Sequence, residues 1–276
     1  MMIEINDFTY SYTKRSATIF KNFNLKFQEG HIYGLLGKNG EGKSTLLYNI
    51  MGALRPRAGS ITFKGLVTQN RYAEVLADCY MLAEEFYVPP YTLKKYIKFY
   101  APFYPNFSYD DLQRYLKDFD LDIDDKKLSE LSMGQQKKVM ISFALACNTS
   151  LLILDEPTNG LDIPSKSQFR KIVGSGMRDD RTIIISTHQV RDIENLLDYV
   201  VIIQDSKVLL NEPMSNIETK LLFAENAPDS IYSQNWAGGV NTVSQNHTGE
   251  VSAINLELLF NAAVASPEEL NKIFND

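Results

Sequence analysis

The chain predicts an α/β fold: a parallel sheet at the centre, an antiparallel β subdomain ahead of it, a helical insert and a small C-terminal appendage. Three observations predict it. Three short apolar runs, "YGLLG" from Tyr33, "LLILD" at 151–155 and "TIIIST" at 182–187, are leucine-rich or β-branched and end at glycine or polar residues, as buried parallel strands do. The rest of the first 65 residues is strand and turn, with Phe23, Leu25 and Phe27 alternating before Gln28-Glu29-Gly30, and a further strand pattern in "GSITFKG". Over about 86–150 the texture turns helical: Leu93, Tyr96, Ile97 and Tyr100, then Leu112, Leu116 and Phe119, recur every three or four residues.

After the third apolar run, "YVVIIQDSKVLL" predicts a final strand pair turning at Asp205 and Ser206. We divide the chain into a domain over 1–216 and an extension over 217–276. The extension is rich in asparagine and serine and carries no motif, ending in a helix marked by Ser266, Pro267 and Glu269.

Bulk properties narrow the function. A chain of 276 residues, 44% hydrophobic, can bury a sizeable core, and a net charge of -6 argues against general affinity for nucleic acid or anionic lipid. Cys79 and Cys147 stand far apart with no metal-ligand spacing, which fits a reducing compartment. The N-terminus lacks a signal-peptide pattern and no stretch reaches 18 uninterrupted apolar residues, so we expect no membrane span.

Directly after a predicted strand, Gly37-Lys38-Asn39-Gly40-Glu41-Gly42-Lys43-Ser44 satisfies G-x-x-x-x-G-K-[ST]. Each residue type has a physical task. Glycines let successive backbone N–H groups converge on a phosphate at a helix N-terminus, Lys43 brings a point charge to the β- and γ-phosphates, and Ser44 offers a magnesium ligand. "LLILDEP" supplies the complementary half, an apolar strand delivering Asp155 where a carboxylate can hold a magnesium shell. Glu156 follows and is free to deprotonate a water, while His188 ends another apolar strand on the same sheet edge and is placed to touch the γ-phosphate.

"LSMGQQKKVMISFALA", from Leu131, reads as a helix opened by a reciprocal cap between Ser132 and Gln135, but Gly134 in its first turn is costly by roughly 1 kcal/mol. Residues 37–44, "LSMGQ", "LLILDEPTNGLD" and "STH", in that order, resemble the nucleotide-binding subunit of ABC transporters over about residues 2–215. The resemblance implies a P-loop NTPase fold of the ABC type that binds ATP and Mg2+ and hydrolyses ATP. It implies that the signature helix points at the γ-phosphate held by a second cassette, so that Ser132 offers its hydroxyl, Gly134 its N–H, and Gln135 supports the loop. Capping and phosphate binding then compete for the Ser132 hydroxyl.

Carried over in the same way, Tyr12 stacks on adenine, Gly37, Asn39, Gly40, Gly42 and Thr45 complete the cradle with Lys43 and Ser44, and Asp162 meets the partner's cradle. Glu156 and His188 are then the catalytic pair, and Ser44, Asp155 and Glu84 hold the metal. Two departures stand out: Met133 replaces the usual glycine, and Glu84, in "YMLAEEF", stands where the family has a glutamine. The implied partners are a second cassette and a separate membrane permease, docked near "FYVPPYTL" within an insert whose residues 80–109 hold eleven of the 31 aromatics. The expected place is the cytoplasm, on the inner face of the membrane, and the expected direction is export. The alternative is a soluble ATPase of the same superfamily acting on ribosomes or DNA.

Overall fold

The computed structural model describes residues 1–13, 15–123, 125–227, 229–236 and 238–275. In its first sheet, β1 (Ile3–Tyr10) buries Ile3, Ile5, Phe8 and Tyr10, and β2 (Phe20–Phe27) buries Phe20, Phe23, Leu25 and Phe27. Antiparallel pairing sets Ile3 opposite Phe27 and Ile5 opposite Leu25, so both apolar sets share one face. With β4 (Ala58–Phe63) and β5 (Leu66–Val67) they make a four-stranded sheet, ordered β2-β1-β4-β5.

The central sheet is built from the apolar runs. In β3 (Ile32–Leu36), β7 (Leu151–Asp155) and β8 (Thr182–Thr187) every residue is buried, and the three pair in parallel. With β6 (Cys79–Leu82), β9 (Tyr199–Gln204) and β10 (Lys207–Pro213) the order is β10-β9-β3-β8-β7-β6. Only β10 runs antiparallel, returning through Asp205 and Ser206 at φ 48° and 63°, the left-handed pair a two-residue hairpin needs. Because β3, β7 and β8 are parallel, Gly37, Glu156 and His188 follow their strands at one edge.

Helices follow: α1 (Lys43–Ile50), α2 (Ala73–Ala77), α3 (Leu93–Tyr100), α4 (Tyr109–Asp118), α5 (Met133–Ala146) and α6 (Ile163–Ser175). Thr92, Ser108 and Asp162 cap α3, α4 and α6 by accepting backbone N–H bonds. In the insert, the buried Phe143 of α5 is ringed by Tyr96 at 5.0 Å, Phe107 at 5.3 Å, Tyr80 at 6.1 Å and Tyr104 at 6.4 Å. The other side of the aromatic set faces out, Tyr87 81% and Phe103 68% exposed.

The far ends of α5 and α6 share one anchor. Arg181, fully buried, donates to the carbonyls of Leu145 (3.0 Å), Gly176 (2.8 Å) and Thr149 (3.0 Å), a cation set where two helix dipoles end. Burial lowers its pKa to about 10.

The extension folds onto the body. α7 (Met214–Lys220) runs across residue 216 into β11 (Leu221–Glu225), β12 (Tyr232–Trp236) and β13 (Gly239–Gln245), ordered β11-β13-β12, then α8 (Leu256–Ala265) and α9 (Pro267–Asn275). Ile217, Leu221, Val243, Leu256, Leu259 and Leu270 are buried in the same core as Leu36 and Ile202 of the central sheet. Each such side chain adds about 1.5–3 kcal/mol of burial, so this segment is bound into the fold. Among the described residues no helix is long and apolar enough to cross a membrane.

Candidate nucleotide site

The loop after β3 turns through Gly40 and Gly42, both at φ 90°. A Cβ at Gly42 would lie 2.6 Å from the Ile19 Cγ2 and 2.9 Å from the Phe20 ring, so sterics and backbone both require glycine there. Lys43 opens α1, 7% exposed, and its Nζ donates to the carbonyls of Gly37 (2.6 Å) and Lys38 (3.2 Å). Burial pulls its pKa below the ordinary lysine value, opposed by the carboxylates of Glu156, Asp155, Glu41 and Glu84. Ser44 is half-buried, Asn39 and Gly40 are exposed on the loop, and Gly37 is buried at its start. Thr45 is buried, and its hydroxyl meets the Tyr12 hydroxyl at 2.8 Å, which holds the 58% exposed Tyr12 ring beside the start of α1.

Asp155 and Glu156 are 3% and 5% exposed. Asp155 lies opposite Ser186 in the β7 and β8 register, and the Ser186 hydroxyl donates to its Oδ1. Glu156 takes φ 46°, a left-handed backbone that costs a non-glycine residue roughly 1–3 kcal/mol. Its N–H is held by the Ser186 carbonyl at 3.0 Å, its Oε2 accepts from the Thr187 hydroxyl at 3.1 Å, and its Oε1 accepts from the His188 N–H at 3.1 Å. The His188 Nδ1 lies 2.7 Å from that same Oε1. Glu156 and His188 thus form a pair within one chain, with the imidazole 38% exposed.

The signature residues lie elsewhere. The Ser132 hydroxyl accepts from the Gln135 N–H at 3.3 Å while the Ser132 N–H donates to Gln135 Oε1 at 3.0 Å, so the reciprocal cap is closed. Competition for that hydroxyl is not required: the cap uses a lone pair and leaves the proton to donate. A Cβ on Gly134 would meet only the Gly160 carbonyl, at an ordinary 3.5 Å, so nothing described in this chain demands glycine there. Asp162 is exposed and accepts from the Ser165 N–H at 2.9 Å; hydrogen bonding from the Ser165 side chain, then from its backbone, holds the carboxyl pKa low. Among the described residues no hydrogen bond joins Ser132, Gly134, Gln135 or Asp162 to the cradle.

Glu84, exposed just after β6, accepts from the Asn159 side-chain amide at 2.9 Å. No cluster of three or more His, Cys, Asp or Glu able to hold a metal occurs among the described residues. Hydroxyl and carboxylate oxygens from Ser44, Asp155 and Glu84 nevertheless suit a hard cation that keeps water and phosphate ligands of its own.

Sequence reasoning missed four contributors. Ser186 and Thr187 precede His188 and hold the two acids, Asn159 holds Glu84, and Lys137 holds the 156–159 turn. Lys137 left a signal, because it occupies the apolar stripe of its helix with Met140, Ile141 and Ala144. The extension also reaches the site: Glu257 and Phe260 of α8 line a 170 Å³ cavity with Gly37, Lys38, Thr187 and His188, and Arg191 pairs with Glu257 at 2.7 Å.

Residues 20–159 match the family described as ABC transporter. The lantibiotic transport ATP-binding protein SrtF of Streptococcus pyogenes is 31% identical over 233 residues, covering 79% of this chain and 93% of that protein. The bacitracin transport ATP-binding protein BcrA of Bacillus licheniformis is 31% identical over 225 residues, covering 79% of this chain and 72% of that protein. A solved ATP-binding subunit of an ABC transporter shares the fold with TM-score 0.69 and 24% identity, covering 79% of this chain and 92% of that chain. The chain belongs to the ABC transporter family, as one of its ATP-binding, ATP-hydrolysing subunits.

Proposed function

We propose that this cassette pairs with a second one around two Mg-ATP molecules, and that closure and hydrolysis drive a separate membrane permease in the export direction. The observation that carries the reading is Glu156, a buried carboxylate whose two oxygens are both aimed by Thr187 and His188. In the proposed reaction, Lys43 and the backbone N–H groups of the 37–42 loop hold the β- and γ-phosphates, Tyr12 stacks on adenine and Thr45 keeps Tyr12 in place. Ser44, Asp155 and Glu84 would hold Mg2+, which when bound would supply neutralising charge at the phosphates. Glu156 takes a proton from water as the water oxygen bonds to the γ-phosphorus and the bond to the ADP oxygen breaks. His188 keeps that carboxylate oriented and presents its free edge to the γ-phosphate.

Ser132 and Gly134 serve the nucleotide of the partner cassette, with Asp162 at the seam. Two exposed apolar side chains favour a covered face there, Met133 at 74% and Ile163 at 85% exposure, both next to the loop that holds Gly160. The aromatics Tyr87, Phe99 and Phe103, all at least half exposed, are suitable anchors for the permease. Relatives named for transport of a lantibiotic and of bacitracin favour a transporter over an ATPase of ribosomes or DNA, as does the acidic net charge. We place the working protein in the cytoplasm, on the inner face of the membrane, with residues 1–216 as the ATPase unit and 217–276 as its extension.

Glu156→Gln is the test. Turnover should fall roughly 10²–10⁴-fold, the range of a lost general base, while ATP affinity holds and an ATP-bound dimer accumulates on size-exclusion chromatography. Hydrolysis at the original rate would remove Glu156 from the mechanism.

A further inference from the structure

Lys137 is a buried charged residue beside the site that the mechanism above does not use. It is 5% exposed on the core-facing stripe of α5, five residues into the signature helix, where a lysine is costly. Its two hydrogen bonds both go to backbone carbonyls of one short turn: Glu156 at 3.1 Å and Asn159 at 2.8 Å. That turn is the strained one. Glu156 sits at φ 46°, the Asn159 N–H closes back on the Glu156 carbonyl at 3.3 Å, and Gly160 follows at φ 79°. From the far side of the turn, the Asn159 side chain reaches Glu84 at 2.9 Å.

We propose that Lys137 is a positioning residue for hydrolysis: its ammonium fastens the backbone of Glu156 to the signature helix and thereby sets where the Glu156 carboxylate stands. The inference rests on Glu156 being the general base. Two physical features favour a role beyond packing. A neutral side chain would fill the stripe at lower desolvation cost, whereas a cation close to Glu84, Glu156 and Asp155 offsets the charge of three acids brought together. The tie also joins the helix whose N-terminus carries Ser132 and Gly134 to the carbonyl of the base itself. A shift of α5 on engagement of a second cassette is therefore delivered to Glu156 and, through Asn159, to Glu84.

The experiment compares Lys137→Met, which keeps the stem and removes the donors, with Lys137→Arg and with Glu156→Gln in the full-length chain. Each is measured for steady-state ATP hydrolysis and, separately, for the Kd of a fluorescent ATP analogue. Lys137→Met should lower kcat on the order of 10- to 100-fold, the scale of a misplaced catalytic group, with KM and Kd within about twofold of the parent. Lys137→Arg, which restores charge and donors, should recover most of the loss. If Lys137→Met fails to fold by thermal melt, Lys137→Leu, which also lacks donors, takes its place under the same criteria. A kcat within about twofold of the parent, or a loss in kcat matched by an equal loss in nucleotide affinity, would overturn the proposal. Glu156→Gln separates the two readings. If it is inactive while Lys137→Met turns over normally, the positioning role alone is wrong; if it is active, the assignment of the base is wrong.

Discussion

The proposed reaction uses both the cradle and the signature turn, yet they are built on opposite principles. The charged groups of the cradle are buried and satisfied from within: Lys43 rests on two loop carbonyls, Glu156 has both oxygens engaged, and Gly42 is hemmed in by Ile19 and Phe20. The signature turn lies open, with Ser132 and Gln135 exposed, Met133 74% exposed, and a glycine that no neighbour among the described residues requires. In the proposed reaction, binding of nucleotide and its completion thus fall to different surfaces. The first needs only this chain; the second makes sense when something else approaches.

The comparison predicts opposite signatures for substitutions on its two sides. Lys43→Ala should have the largest effect and should act on binding. Losing two charge-assisted phosphate contacts of about 1.5–3 kcal/mol each weakens ATP by roughly 10²–10⁴-fold by titration calorimetry. The fold should survive, since the buried ammonium is itself a desolvation cost. Unchanged ATP affinity in Lys43→Ala would erase the distinction between the two surfaces.

How legible these surfaces were follows from the physics of each. The strands of the central sheet could be read because burial on both faces leaves uninterrupted apolar runs, as in Leu151, Leu152, Ile153 and Leu154. The cradle could be read because glycine, lysine and serine at fixed offsets have few other uses. Both Glu156 and His188 could be read, but not their contact, because a 2.7 Å approach across 32 residues depends on strand register and on a left-handed backbone at a glutamate. Lys137 stood out in an apolar stripe, but its role was hidden because its partners are carbonyls, which carry no side-chain signal. The extension was illegible because β12, "YSQNW", and β13, "GVNTVSQ", are largely polar and leave only Thr242, Val243 and Ser244 buried. Its packing comes from scattered residues such as Ile217 and Leu256. The aromatic insert showed its richness in the sequence, but not which rings pack around Phe143 and which, such as Tyr87 and Phe103, face out.

Gly134→Ala sharpens the comparison from the other side. Within the chain the new methyl meets only the Gly160 carbonyl at 3.5 Å, and alanine is the better helix former by about 0.5–1 kcal/mol. The variant should therefore melt about 1–4 °C higher and bind ATP normally. Its turnover should nevertheless fall roughly 10²-fold, as when a backbone donor to a developing anion is blocked. A stabilised protein with undiminished turnover would mean that no phosphate approaches this turn.

The smallest effect, and the most discriminating, concerns Ser132. Its hydroxyl accepts from the Gln135 N–H at 3.3 Å and keeps its own proton, so one atom can cap α5 and still donate to a phosphate. The two tasks separate by substitution. Ser132→Ala removes cap and donor together and should cost about 1 kcal/mol, a drop of roughly 2–4 °C in Tm. Ser132→Gly removes the same hydroxyl, but glycine is tolerated at an N-cap with a loss of only a few tenths of a kcal/mol. If the hydroxyl serves the nucleotide, both variants lose turnover by about tenfold, the worth of one hydrogen bond to a charged group, although only Ser132→Ala loses stability. If Ser132→Gly turns over like the parent while Ser132→Ala does not, activity follows the cap. The open end of α5 would then be a well-made helix start and nothing more.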